Sequence, residues 1–195
     1  MKAKFWLIAI LIAVLLTGCS IVSGSKTFRN TSWGMDMEKV MTSESSDADL
    51  INKKTKFKRF SVDPKPNELV YTSTLFDLPV IVTYNFNKGK LVAAQYSADD
   101  QYYSYTQDEL KELSDHIKEK LTKKYGKPEI IGNEKSLIWE SKKTSITMWD
   151  EPETGFIQLF YSSQQYLDEV NKQQEKYENE KFTLSATTLI SRLNL

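Results

Sequence analysis

The most constraining feature of this chain is its only cysteine, Cys19, which follows a charged and then apolar leader. Lys2 and Lys4 precede an uncharged run, Phe5 to Leu16, and Gly18 stands directly before the cysteine. This order of charged, apolar and small residues is typical of a secretory signal. Twelve apolar residues span about 18 Å as a helix, against about 30 Å for the hydrocarbon core of a bilayer. The leader is therefore predicted to be a cleaved signal rather than a permanent span.

The end of the leader, Leu16-Thr17-Gly18-Cys19, resembles the bacterial lipobox. The resemblance implies that residues 1–18 are removed and that lipid is attached to the thiol of Cys19. Several acyl chains, at about 0.8 kcal/mol per buried methylene, hold such a protein stably on a membrane. We expect residues 19–27 to be the lipidated cysteine and a short tether, with the folded part outside the cytoplasm, on the cell membrane or the outer membrane.

Composition excludes several classes of function. Lipidation of Cys19 leaves no thiol for a disulfide, a cysteine nucleophile or a thiolate metal site, so stability must come from a packed core. Loss of Lys2 and Lys4 leaves 24 basic against 26 acidic residues, a balance that attracts no nucleic acid. His116 is the only histidine, which excludes multi-histidine zinc sites. We expect no cofactor and no enzyme of a familiar type.

The clearest helix signal begins at Thr106, where Thr106 and Glu109 form a capping-box pattern. Gly126, followed by Pro128, is typical of a helix end. Apolar residues recur between these ends at three- and four-residue spacing, which predicts one buried face. They are Leu110, Leu113, Ile117 and Leu121.

Short strand-like runs lie on both sides of this helix, and short turns between them predict antiparallel pairing. The turn Asn87-Lys88-Gly89 supplies residues that tolerate positive φ, as a tight hairpin requires. A shorter helix capped by Asp36 precedes the first group, so the order of helix and then strands occurs twice. The runs lie near residues 55–62, 68–75, 79–86 and 90–97, and then near 129–132, 136–141, 144–149 and 155–161.

We therefore predict an α+β fold: a helix followed by an antiparallel sheet, duplicated as two α-β-β-β-type halves, plus a C-terminal helix. The halves are residues 28–98 and 106–162, joined by a tyrosine-rich connector, residues 99–105. Residues 163–195 form a polar C-terminal helix, expected to run from about 164 to 179, and a tail. The sequence leaves open whether residues 182–195 dock on the domain or mediate self-association.

Two short segments resemble small bacterial envelope lipoproteins: Trp33-Gly34-Met35 to Val40, and Lys124-Tyr125-Gly126-Lys127-Pro128. The layout is similar to BamE-like lipoproteins of the SmpA/OmlA type and to β-lactamase inhibitory proteins, whose repeats place a helical segment on an antiparallel sheet. The resemblance implies that fold and a non-catalytic role in the envelope. Asp36 departs from the family pattern, which has threonine at the helix start.

The connector and its surroundings concentrate tyrosines in a pattern typical of a recognition surface, because tyrosine supplies contact area at little entropic cost. Capping of the core between the halves is the alternative reading of these side chains. The large rings of Trp33, Trp139 and Trp149 are expected in the core. The candidate binding surface consists of Tyr96, Tyr102, Tyr103 and Tyr105.

One basic run stands out, and with interleaved aromatics it is a candidate contact for anionic lipid or wall polymer. Its alternative role is protection of a sheet edge, since lysines discourage unwanted strand pairing. The acidic groups, among them Asp150, are expected in solvated turns. The basic run consists of Lys53, Lys54, Lys56, Lys58 and Arg59.

These observations support three functional hypotheses of different classes. The first is a non-catalytic lipoprotein that binds a protein partner or assists an envelope complex. The second is a cell-surface protein that binds a small ligand or a polyanion. The third, an unrecognised envelope hydrolase, requires a serine or carboxylate site with poor motif form.

Overall fold

The helices and strands follow the predicted order, in which a helix and then a group of strands occur twice. The computed structural model describes residues 26–44, 49–51, 66–99, 103–132, 136–151 and 154–193. The elements in chain order are α1 (Met37–Ser43), β1 (Asp49–Ile51), β2 (Glu68–Leu75), β3 (Leu78–Asn87), β4 (Lys90–Asp99), α2 (Gln107–Tyr125), β5 (Glu129–Ile131), β6 (Ser136–Glu140), β7 (Thr144–Glu151), β8 (Phe156–Ser163) and α3 (Gln164–Leu193).

The strands of the described residues form one antiparallel sheet of eight strands, in the order β1-β2-β3-β4-β8-β7-β6-β5. The two halves meet at its centre, where β4 pairs with β8 and Tyr96 lies opposite Leu159. Each half therefore contributes its last strand to the junction. The predicted α+β class, with an antiparallel sheet and a C-terminal helix, is confirmed.

Details of the halves differ from the prediction. Each helix is followed by four strands, which is the number of predicted runs but one more than the α-β-β-β-type description has, and β1, at Asp49–Ile51, lies ahead of the first predicted strand. The strand predicted near residues 55–62 falls outside the described residues. That the halves arose by duplication stays a prediction.

One face of the sheet carries the core, and α1 and α2 pack against it. Val40 of α1 is fully buried, and the predicted apolar face of α2 is buried along its length, from Leu110 to Leu121. Each such side chain contributes roughly 1.5–3 kcal/mol on burial, so this layer stabilises the fold most. The strands contribute Val80, Val82, Tyr84, Phe86, Leu91, Trp139, Ile146, Met148, Ile157 and Leu159.

Both ends of α2 are fixed by the residues predicted for them. The Thr106 hydroxyl accepts from the Glu109 amide at 3.2 Å, and the Thr106 amide donates to the Glu109 carboxylate at 2.7 Å, which completes the capping box. At the other end Gly126 has φ of +90° and its N–H donates to the Thr122 carbonyl. The helix orientation follows from these local signals and from the buried stripe.

Helix α3 is longer than predicted. It begins at Gln164 as expected but continues to Leu193 instead of ending near residue 179. Its side chains from residue 171 to 178 are exposed, so this stretch extends away from the sheet as a solvated helix. In the described part of the chain, no helix combines the length and the apolar character needed to cross a membrane.

Candidate functional site

A buried ion pair ties the turn before α1 to the end of that helix. The Arg29 guanidinium contacts the Glu44 carboxylate, with Nη2 and Oε2 2.9 Å apart and Nε and Oε2 3.1 Å apart. The two side chains are 12% and 3% exposed. Arg29 has φ of +47°, a conformation that costs energy for a residue with a side chain. The ion pair holds it there.

Side chains of the sheet form hydrogen bonds with the remaining polar atoms of Arg29 and Glu44. Arg29 Nη1 donates to Ser73 Oγ at 3.0 Å, and the Tyr84 hydroxyl donates to Glu44 Oε1. Burial, and then the hydrogen bond to Glu44, raise the pKa of Tyr84, so its phenol stays protonated and remains a donor. The arrangement is a satisfied polar network inside the core. It joins the first turn and α1 to β2 and β3.

Phe28 fills the centre of an aromatic cluster beside this network. Its ring centroid lies 5.4 Å from that of Tyr84, 5.0 Å from that of Tyr96 and 4.9 Å from that of Tyr161. These separations lie within the range in which tilted and edge-to-face ring pairs are favourable. Because Tyr96 belongs to β4 and Tyr161 to β8, Phe28 packs over the junction of the two halves.

A cavity of about 230 Å³ opens next to Phe28, and we call it the tyrosine pocket. The first turn, the two central strands and the last turns of α2 form its walls. Lys124 lies over the ring of Tyr125, with Nζ 4.8 Å from the ring centroid. The residues that give the pocket its chemistry are Arg29, Tyr96, Lys120, Lys124, Tyr125 and Tyr161.

The sheet face opposite the core carries aromatic and amide side chains. Gln158 Nε2 donates to Gln95 Oε1 at 2.9 Å, and the ring centroids of Trp149 and Phe160 are 6.3 Å apart. Trp149 is 37% exposed, so its prediction as a core residue was wrong, whereas Trp139 is 2% exposed and was predicted correctly. We define the outer-face patch as Gln95, Thr147, Trp149, Gln158 and Phe160, which are neighbours in strand register.

A groove of about 400 Å³ adjoins this patch, and we call it the sheet groove. Tyr166, in the first turns of α3, forms one side of it. Its lining is mostly uncharged and combines amides, a hydroxyl and rings. The main residues are Asn67, Thr83, Asn85, Gln95, Phe160 and Tyr166.

The four predicted binding tyrosines do not form one surface among the described residues. Tyr96 lies in the aromatic cluster, where burial raises the pKa of its phenol. Tyr103 and Tyr105 are together, with ring centroids 6.1 Å apart, and the Tyr105 hydroxyl donates to the Pro79 carbonyl. Tyr102 lies outside the described residues. A binding role for the connector stays a prediction.

Several other predicted residues also lie outside the described part of the chain. These are Cys19 with its leader, and the basic run Lys53, Lys54, Lys56, Lys58 and Arg59. Among the residues that are described, no group of three or more His, Cys, Asp or Glu side chains is placed to hold a metal ion.

Two titratable residues, His116 and Asp150, have structural partners. The ring of His116 is stacked on Phe76, with centroids 5.2 Å apart, and so packs α2 against the β2–β3 turn. Asp150 was expected in a solvated turn, and this was wrong. It lies in β7 with its side chain 12% exposed, accepts from Ser114 Oγ at 2.7 Å and pairs with Lys118.

Sequence reasoning missed the ion pair, the tyrosine pocket and the outer-face patch. Arg29 and Glu44 are fifteen positions apart in irregular and cap positions, so no periodic pattern links them. Alternation along β8 was the available signal for the patch, because Gln158 and Phe160 share one face and Ile157 and Leu159 share the other.

Comparison with known proteins gives one match. No curated protein and no solved structure matches the chain. The family model of the TP0088 domain matches residues 26–177, which include both halves of the sheet, α1, α2 and the first turns of α3. The chain therefore belongs to the TP0088 domain family.

Proposed function

We propose that this chain is a lipid-anchored, non-catalytic protein of the bacterial cell envelope that binds a partner protein. The leader and Cys19 support the anchor, and the single histidine and lack of a thiol after lipidation support a non-catalytic role. The outer-face patch carries the binding part of the proposal. Its central observation is Trp149, which is 37% exposed although the preceding residue of the strand, Met148, is fully buried.

The patch has the chemistry of a protein contact. Aromatic side chains bury about 150–250 Å² each and dominate the energetics of interfaces, where tryptophan and tyrosine are enriched. Leaving an indole in water forgoes about 25 cal/mol for every Å² that burial would cover. Gln95 and Gln158 add amide donors and acceptors beside the rings. A partner that covers Trp149 and Phe160 gains both contributions.

Site-specific photo-cross-linking in the native membrane tests this proposal. A photoreactive residue at Thr147, inside the patch, is expected to form an adduct with an envelope protein. The matched position is Glu119, exposed on α2 on the other side of the sheet, where no adduct is expected. Trp149→Ala, combined with the residue at Thr147, should reduce the adduct about tenfold or more, as at an interfacial hot spot. Equal adducts at Thr147 and Glu119 would contradict the proposal.

The tyrosine-rich connector is the alternative surface at which a partner protein would bind. Tyr103 and Tyr105 form a ring pair at the entry to α2, and both are half-buried. Tyr103→Ala is expected to leave the Thr147 adduct intact if the outer-face patch is the contact. Loss of the adduct in Tyr103→Ala, with full retention in Trp149→Ala, would move the contact to the connector.

A second candidate function, binding of a small neutral ligand at the cell surface, is favoured by the sheet groove. Amides beside rings suit a polyhydroxylated ligand such as a wall glycan, which needs hydrogen bonds and stacking but no charge. Wall-derived glycan fragments should raise the melting temperature of the protein and not that of Gln95→Ala. Gln173→Ala, on the exposed part of α3, is the control and should respond like the unaltered chain.

A further inference from the structure

Three basic residues line the tyrosine pocket, and the charge of two of them, Lys120 and Lys124, is not neutralised by a carboxylate of the described residues. None of its nine lining residues is acidic. The charge of Arg29 is taken up by Glu44, at 2.9 Å, and does not count toward a ligand. Lys120 and Lys124 are exposed, and in the described part of the chain neither has a carboxylate partner. The pocket therefore has about two uncompensated positive charges.

Interaction with the dipole of α2 explains only part of the positive charge at the pocket. Lys120 and Lys124 lie in the last turns of the helix, where the aligned peptide dipoles place about half a negative charge. Lys123 lies in the same last turn and outside the pocket, and it is available for the same role. One lysine is enough to balance the dipole, so the pair at the pocket leaves a net positive surface.

Hydroxyl donors complete the lining. Tyr161 and Tyr125 have no hydrogen-bond partner among the described residues. The ring of Tyr161 packs on Phe28 and Tyr96, and the ring of Tyr125 lies under Lys124. Burial raises the pKa of Tyr161, so that its hydroxyl keeps its proton and can donate. Ammonium and phenol groups around one cavity are donors that an oxyanion accepts from.

We propose that the tyrosine pocket binds a phosphate group, with Lys120 and Lys124 supplying charge and the Tyr161 and Tyr125 hydroxyls donating hydrogen bonds. Two ammonium groups match the charge of about −1.5 to −2 that a phosphomonoester carries near neutral pH. A volume of about 230 Å³ lies below the roughly 300–1,000 Å³ of sites for drug-sized ligands. A phosphate with a short attached body fits this volume, whether it is a soluble phosphate or the headgroup of a phospholipid.

Isothermal titration calorimetry on the full chain in uncharged detergent, at low ionic strength, tests the proposal. The two titrants are inorganic phosphate and a phosphatidic acid with six-carbon chains, whose headgroup is a phosphomonoester, so they distinguish a soluble anion from a headgroup. The double variant Lys120→Gln, Lys124→Gln should weaken binding about tenfold or more, because the loss of a single hydrogen bond to a charged group raises the dissociation constant by about that factor. Tyr161→Phe should weaken binding with the lysines unchanged.

Two control variants test whether the loss of binding is specific to the pocket. Lys123→Gln removes a charge from the same turn of α2, and Tyr177→Phe removes an exposed hydroxyl from α3; both should bind like the unaltered chain. Binding of either titrant that is lost with Lys120 and Lys124 supports the proposal, and the titrant that binds names the source. Absence of heat with both titrants, or equal loss in Lys123→Gln, overturns it.

Discussion

The indole N–H of Trp33 donates a hydrogen bond of 3.0 Å to the hydroxyl of Thr144, across 111 positions of sequence. Trp33 precedes α1 in the first half, and Thr144 begins β7 in the second half. Thr144 is 4% exposed, so water cannot replace the donor if it is lost. The contact therefore fastens the two halves together near the end of the sheet junction.

Trp33→Phe tests this tie because it removes the donor and keeps a ring. We expect the free energy of unfolding to fall by about 1–3 kcal/mol, the usual cost of leaving one buried hydrogen-bonding group unsatisfied. Urea denaturation followed by circular dichroism measures it. Trp149→Phe, on the outer face, makes the same change in ring size and should alter the free energy by much less. Equal losses in both variants would show that the hydrogen bond is not the cause.

The Arg29–Glu44 pair should behave as a coupled unit. Glu44→Gln leaves a guanidinium that is 12% exposed without its counter-charge, and loss of one partner of a buried pair costs about 3–5 kcal/mol. Arg29→Met and Glu44→Gln together should cost less than the two single changes added. A double-mutant cycle in urea measures the coupling.

An exposed pair provides the comparison for this cycle. Lys39 pairs with Asp36 at 3.1 Å, with side chains 70% and 39% exposed. Lys39→Met should change the free energy of unfolding by less than about 1 kcal/mol, because water screens such a pair. Additive costs for Arg29→Met and Glu44→Gln would rule out the proposed coupling.

Tyr71 makes the fold sensitive to alkaline pH. Burial, and secondarily the nearby charge of Glu44, raise the pKa of Tyr71 to about 12, while an unfolded tyrosine titrates near 10. Between these values the unfolded chain loses a proton that the folded chain keeps, so stability is complete below about pH 10 and decreases as the pH rises toward 12. Tyr71→Phe should flatten this decrease in urea midpoints measured from pH 8 to 12.

The matched change for Tyr71→Phe is Tyr177→Phe, since Tyr177 is 64% exposed on α3. Its removal should leave the dependence on alkaline pH as it was. A slope for Tyr71→Phe that is identical to that of the unaltered chain would contradict the assignment to Tyr71.

Substitutions in the hairpin between β3 and β4 are expected to change the free energy of unfolding in opposite directions. Lys88 and Gly89 have φ of +50° and +73°, the conformation predicted from Asn87-Lys88-Gly89. Lys88→Asn should raise the free energy of unfolding by a few tenths of a kcal/mol, because asparagine tolerates this region better than lysine. Gly89→Ala should lower it by about 1 kcal/mol, although a Cβ there would touch nothing within 4 Å. Thermal unfolding of both variants checks the opposite signs.

The hairpin and α2 were predictable because their determinants are local. Positive φ at Gly89 and the capping box at Thr106 depend on residues within a few positions, and the sequence displays them directly. The full length of α3 was missed because the exposed stretch from residue 171 to 178 is polar and carries no periodic apolar stripe that would predict that the helix continues through it.

The candidate sites depend on partners that the sequence does not bring together. The large ring of Trp149 predicts a core position. Only the register of β7 with β8 shows that it lies on the outer face beside Gln158. The tyrosine pocket needs Tyr96 and Tyr161 on adjacent strands, a pairing set by the non-sequential order of β4 and β8. Pairing of strands distant in sequence is fixed by the whole core, so local patterns could not predict these sites.

Ser114 and Asp150 connect α2 to β7 in the same way as Trp33 and Thr144 connect the halves. Ser114 is 2% exposed, and its hydroxyl donates to Asp150 Oδ2 at 2.7 Å. Asp150→Ala leaves that hydroxyl buried without an acceptor and removes the partner of Lys118, so unfolding should become easier by about 1–3 kcal/mol. In Ser114→Ala the added cost of Asp150→Ala should shrink, since no buried hydroxyl is then left unpaired. Urea unfolding of the two single variants and the double variant measures this difference. A cost for Asp150→Ala that is the same with and without Ser114 would mean that Asp150 acts through Lys118 alone.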